Sequence, residues 1–162
     1  MRKSFVEMLI ELMGQDERVV LILGDVGFSF LEPIFEKFPK QIINIGIMEQ
    51  LMMGYATGRA IEGAKPFVYT MSNFILLRAL EQTRNDVVWG NADILMCGTK
   101  GSAAYKFLGK SHNMSEREER DILENLKELQ PNFNYYFPQT EEETKDIIRK
   151  EYARQGPAYI RL

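Results

Sequence analysis

The chain of 162 residues holds one cysteine and one histidine. Cys97 has no partner within the chain, so an internal disulfide is excluded and a reducing, cytoplasmic setting fits. It lies in the apolar run Ile94-Leu95-Met96-Cys97, where a buried and inert thiol is expected. With His112 the lone histidine, the usual structural zinc sets are out of reach and no metal ligands are expected. No apolar run approaches the roughly 20 residues of a bilayer span, so no membrane partner is expected. The opening Met1-Arg2-Lys3-Ser4-Phe5-Val6-Glu7 lacks the uninterrupted apolar core of a secretory leader. Charge of one sign is also missing. A formal net charge of −3 gives no electrostatic footprint for nucleic acid. There is no internal repeat, linker or low-complexity tract.

What is present is ordinary for a globular protein: 45% apolar and 27% charged residues, in a chain long enough for one domain over 1–162 with a sizeable core. Helical and extended patterns alternate. Phe5, Met8, Leu9, Leu12 and Met13 recur at helical spacing over residues 4–13. Val19-Val20-Leu21-Ile22-Leu23 is a continuous apolar run closed by Gly24-Asp25, as in a strand buried on both faces. Further strands are expected at 42–45, 66–70, 93–98, 133–137 and 158–162. Helices are expected at 30–38, 48–61, 72–89, 115–130 and 140–154. Gly63 ends one of them, Ser72 or Asn73 caps another, and Ser115-Glu116-Arg117-Glu118 and Thr140-Glu141-Glu142-Glu143 have capping-box form. Residues 99–114 carry glycines, serines and His112 with little periodicity, and long loops of this kind are often functional. Six strands alternating with helices predict an α/β three-layer sandwich with a mostly parallel six-stranded sheet. In such folds ligands bind beyond the carboxyl ends of the strands. Asp25, Glu49, the 70–74 segment and the 99–112 loop all fall there.

The stretch from Asn44 to Gln82 is the most informative. Asn44-Ile45-Gly46-Ile47-Met48-Glu49-Gln50 runs from a strand through a glycine turn into a helix that is apolar on nearly every side. A carboxylate withdrawn from water there needs a partner, because burial alone costs several kcal/mol. Taken alone, Glu49 fits a partner of the helix dipole as well as a ligand group. Phe74 likewise fits core packing, and Phe67 and Tyr69 fit it better still. Arg78 sits one helical turn beyond Phe74 on the same face.

These residues together resemble the pyrimidine-binding domain of transketolases and of relatives such as deoxyxylulose-phosphate synthase. The family's Gly-Ile-Ala-Glu-Gln corresponds to Gly46-Ile47-Met48-Glu49-Gln50, and its Asp-Gly-x-Thr-His to Leu108-Gly109-Lys110-Ser111-His112. The resemblance implies thiamin diphosphate as cofactor, with Glu49 bonded to N1′ of the aminopyrimidine and relaying its tautomer change. Phe74, Arg78 and Asp25 join Glu49 on the cofactor side. His112 faces the substrate as a second catalytic residue. Lys100 stands where transketolases carry a substrate-binding histidine, and Arg161 matches an arginine that holds substrate phosphate. Leu108 replaces the family's acid, so the resemblance implies an unusual sugar or sugar-phosphate substrate.

Transketolases hold diphosphate and magnesium on a Gly-Asp-Gly segment of a second domain, and none occurs here; Gly24-Asp25-Val26 is no substitute. The resemblance therefore implies the small subunit of a split transketolase-like enzyme that transfers a two-carbon ketol unit. Its partner, in a heterodimer or heterotetramer, is a diphosphate-binding subunit that holds the Mg2+. The family's small C-terminal domain is not expected in this chain. Two alternatives stay open: another thiamin diphosphate enzyme (a deoxyxylulose-phosphate-type carboligase or a 2-oxoacid decarboxylase or dehydrogenase component), and a non-catalytic regulatory subunit.

Overall fold

A computed structural model describes residues 1–27, 30–100 and 106–162. Part of the 99–114 loop, including Gly101 and Ser102, lies outside the described residues. Six strands, β1 (Val19–Leu23), β2 (Ile42–Asn44), β3 (Lys65–Met71), β4 (Leu95–Thr99), β5 (Asn134–Tyr136) and β6 (Ala158–Arg161), form one sheet in the order β2-β1-β3-β4-β6-β5. Every neighbouring pair is parallel, with Ile22 opposite Ile43 and Val68, and Met96 opposite Val68 and Tyr159. The sheet is thus wholly parallel, and the three-layer expectation holds.

The alternation of side chains along each strand divides the core in two. Val19, Leu21, Leu23, Phe67, Tyr69, Cys97 and Ile160 face α1 (Arg2–Gln15), α2 (Glu32–Lys37) and α6 (Glu141–Ala153). Val20, Ile22, Val68, Met96 and Tyr159 face α3 (Glu49–Ile61), the helical stretch that follows β3, and α5 (Glu116–Leu129). Cys97 is fully buried, and burial pushes its thiol well above the usual range, as expected of an inert group. Among the described residues no helix is long and apolar enough to cross a membrane.

The ends of α3, α5 and α6 follow sequence rules. Gly63, at φ +91°, turns the chain out of α3. Ser115 and Thr140 accept from the backbone N–H of Glu118 and Glu143, each capping its helix. The expected helix over 72–89 is different. It comprises two π-helical segments, Phe74–Arg78 and Thr83–Trp89, joined by one α turn, α4 (Leu80–Gln82). The Thr83 hydroxyl donates to the Ile75 carbonyl at 2.8 Å, linking the start of the second widened turn to the first. Ser72 and Asn73 do not cap this stretch, because tertiary partners engage both. Ser72 Oγ donates to the Thr99 carbonyl, and Asn73 bonds the 110–114 segment.

Candidate active site

Asp25, Phe74, Lys100 and Arg161 stand at or just beyond the carboxyl ends of β1, β3, β4 and β6, and Glu49 opens the helix after β2. The strand order reverses between β1 and β3, the usual place for a ligand in an open parallel sheet. The approach to Glu49 is built by Asn44. Its Oδ1 accepts from the N–H of Asp25 at 3.1 Å and of Gly46 at 2.9 Å, and its Nδ2 donates to Asp25 Oδ1 at 3.2 Å. Asp25, exposed and at φ +52°, is thereby tied to the turn before α3.

Glu49 is 1% exposed. Arg78 Nη1 donates to Oε1 at 2.9 Å and to Oε2 at 2.8 Å. The same guanidinium lies over the Phe74 ring, 4.0 Å from its centroid, a cation–π contact. The edge of His112 meets Phe74 at 5.2 Å and 79° between planes, and His112 Nδ1 is 2.8 Å from Ser111 Oγ. Carboxylate, guanidinium, phenyl ring and imidazole thus form one continuous train. The π turn helps, because closing at i+5 rather than i+4 brings Arg78 closer to directly above Phe74. A depression of about 320 Å³ opens beside it, lined by Ile47, Met48, Glu49, Gln50, Leu51 and Arg78. A buried acceptor next to an aromatic face is a hydrogen-bonding and stacking set that fits a flat nitrogen heterocycle. No group of three or more His, Cys, Asp or Glu able to hold a metal occurs among the described residues.

Lys100 and Arg161 form a second cluster, on a small cleft shared with Glu116, Phe137 and Gln139. The Lys100 side chain is exposed. Arg161 is only 7% exposed. Its Nη1 donates to Glu116 Oε2 at 3.0 Å, and its Nε lies 3.1 Å from Glu119 Oε2 without a well-aligned hydrogen bond. The arginine expected to hold substrate phosphate is therefore charge-matched within the chain. Glu119 is fully buried and accepts from the Tyr159 hydroxyl, which also meets Ser72 Oγ at 2.9 Å. Burial pushes the Glu119 carboxyl up, against the pull of Tyr159 and Arg161. Burial, then Glu119, pushes the Tyr159 phenol well up. Glu116 is held low, first by its bond to Arg120 and further by Arg161. This buried network lies outside the capping-box reading of Ser115-Glu116-Arg117-Glu118, which does not reach Glu119. The signal was available, since Glu119 shares the apolar stripe of Leu123 and Leu126 at helical spacing.

A roomier cleft of about 490 Å³ opens at the opposite, amino ends of the strands, where Lys65 and Asp93 pair at 2.6 Å. None of the expected site residues lines it, so size alone does not locate the chemistry.

The transketolase pyrimidine-binding domain family matches residues 1–162. A subunit of the apulose-4-phosphate transketolase of Phocaeicola vulgatus is 29% identical over 164 residues, covering 99% of this chain and 50% of that protein. The 6-deoxy-6-sulfo-D-fructose transketolase subunit SqwH of a Clostridium species is 26% identical over 163 residues, covering 100% and 49%. A solved split-gene transketolase, described as an inactive β4 tetramer, superposes with a TM-score of 0.81 at 29% identity, covering 99% of this chain and 50% of that one. The chain spans about half the length of the curated relatives it matches.

Proposed function

The chain belongs to the transketolase pyrimidine-binding domain family, and from that premise we propose that residues 1–162 supply the aminopyrimidine half of a thiamin diphosphate site. Joined to a diphosphate-binding subunit that carries the Mg2+, the chain works as a transketolase-like transferase, moving a two-carbon ketol unit between sugars. The buried Glu49 carboxylate beside the Phe74 ring carries this reading. When bound, the cofactor supplies the nucleophilic carbon, and this chain binds and orients it. Glu49 hydrogen-bonds N1′ of the aminopyrimidine, giving its carboxyl proton to that nitrogen and accepting back from the N1′–H so formed. Phe74 gives the ring a face to stack on. His112, held against Phe74, reaches toward the substrate. The buried thiol Cys97 fits a reducing cytoplasm.

The need for a partner is supported by the exposed face of α3. Leu51 and Ile61 stand exposed along it with Gly54 and Gly58 between them, and Ile47 is exposed in the turn just before it. Apolar residues at helical spacing around two small ones suit close packing by another helix. A heterodimer or heterotetramer follows. The solved relative described as an inactive assembly of β chains alone accords with that requirement. Two relatives are named for apulose 4-phosphate and for a sulfonated fructose, and Leu108 and Lys100 point this chain too toward a modified sugar.

Calorimetry tests the reading. Alone, the chain binds thiamin diphosphate weakly and catalyses no ketol transfer; with its diphosphate-binding subunit it does both, in a magnesium-dependent way. Tight, magnesium-dependent binding by the isolated chain would contradict the shared site.

A further inference from the structure

One side chain occupies both surfaces that would hold the aminopyrimidine. Arg78 offers an edge of N–H groups to Glu49 and a flat face to Phe74. An aminopyrimidine that shared a proton with the carboxyl group through N1′ while stacked on the phenyl group would make the same pair of contacts. Both oxygens of Glu49 are taken by the single Nη1 atom, and the Phe74 face lies beneath the same guanidinium. Ring and guanidinium cannot be there together.

We propose that Arg78 is a stand-in for the aminopyrimidine, filling its place in the cofactor-free chain and leaving when the ring arrives. This rests on the cofactor reading given above. The energetics supply a reason for such a residue. Glu49 is 1% exposed and Phe74 8%. A carboxylate at that depth with no counter-charge would be strongly unfavourable. An uncovered phenyl face would meet water. Arg78 relieves both, yet its own side chain is 44% exposed. Its departure returns a guanidinium to water at the end of a flexible stem, which costs little. Because Glu49 has a hydrogen-bonding partner before and after, with a proton shared at N1′ replacing the guanidinium, ring binding becomes an exchange of partners instead of the filling of an unstable void. The contact also opposes binding. Only the fraction of chains with Arg78 swung out is competent, and the apparent affinity is reduced by that fraction. A residue that helped hold the ring would act in the opposite sense.

The test uses thiamin itself as probe, which lacks the diphosphate and so needs no metal anchor. In the arginine-labelled chain, the guanidinium N–H signals of Arg78 report its pairing with Glu49. The Glu49→Ala chain, which offers no acceptor, gives the reference position for the unpaired group. Saturating thiamin should move the wild-type Arg78 signals to that reference. The Arg78→Met chain should bind thiamin about three- to tenfold more tightly than wild type. Arg78 signals that stay at the paired position with thiamin bound would overturn the proposal and leave the cofactor reading intact, and this measurement needs no Arg78 variant to fold. Weaker binding by a folded Arg78→Met chain would also overturn it. In the uniformly labelled chain joined to its diphosphate-binding subunit, thiamin diphosphate and magnesium that shift no signal of Phe74, Ile75 or Leu76 would instead remove the cofactor reading, and the stand-in with it.

Discussion

The side chain of Asn73 ties down the segment that carries His112: its Oδ1 accepts from the backbone N–H of Met114 at 3.1 Å, and its Nδ2 donates to the carbonyl of Lys110 at 3.1 Å. His112 lies between those two anchor points, directly after the Lys106–Ser111 turn, and so meets Phe74 edge-on. Asn73→Ala removes both bonds and leaves a buried N–H at Met114 without its partner. A loss of about 1–3 kcal/mol in urea unfolding is expected, together with loss of the cross-relaxation between the His112 and Phe74 rings. An Asn73→Ala chain with wild-type stability and an intact ring contact would show that the anchor lies elsewhere.

The Glu119 carboxyl gives a stability signature with a definite sign. Burial raises it above its unfolded value, near about 4.3. The native state therefore binds a proton that the unfolded chain releases. That contribution is complete below the unfolded value and fades as pH rises through the raised folded one. The unfolding free energy of wild type, measured against Glu119→Gln, should fall as pH climbs from about 4 toward neutrality. A difference that grows with pH over that range would mean that the pair with Arg161 outweighs burial.

The substrate expectation rests on Leu108 and Lys100. A site that hydrogen-bonds a hydroxyl discriminates strongly through it, and a leucine offers no acceptor. An exposed lysine adds a cation suited to a phosphate or another anionic group. The complex is expected to be poor with xylulose 5-phosphate and ribose 5-phosphate, and better with a modified acceptor such as a deoxy, keto or nucleotide-linked sugar. Steady-state kinetics decide this. A kcat/KM on the pentose phosphates of about 10⁴ M⁻¹s⁻¹ or above, the low end for natural substrates, would contradict it.

Much of the architecture was legible because it rests on local rules. The all-apolar run at β1, the Ser115 and Thr140 caps and Gly63 each declare themselves within a few residues. Glu49 stood out as a lone carboxylate among apolar helix residues, and the shared face of Phe74 and Arg78 followed from helical spacing. What lay beyond reach depends on distant partners. The pairing of Arg78 with Glu49 spans 29 residues, and that of Arg161 with Glu116 spans 45. The π turns are hidden for a similar reason. Apolar periodicity fits an ordinary helix nearly as well, and the bond from Thr83 to Ile75 that accompanies the widening crosses eight residues. Asn73 has the composition of a cap and instead braces a loop, a choice made by tertiary packing.

The most direct measurement is the turnover of the Glu49→Gln chain reconstituted with its diphosphate-binding subunit and thiamin diphosphate. The amide keeps the shape and a hydrogen bond, so folding and assembly should survive, while proton movement at the ring is lost. Ketol transfer is expected to drop by roughly 10²–10⁴, the usual contribution of a general acid–base group. Turnover near the wild-type rate would contradict the account and leave Glu49 as a structural partner of Arg78.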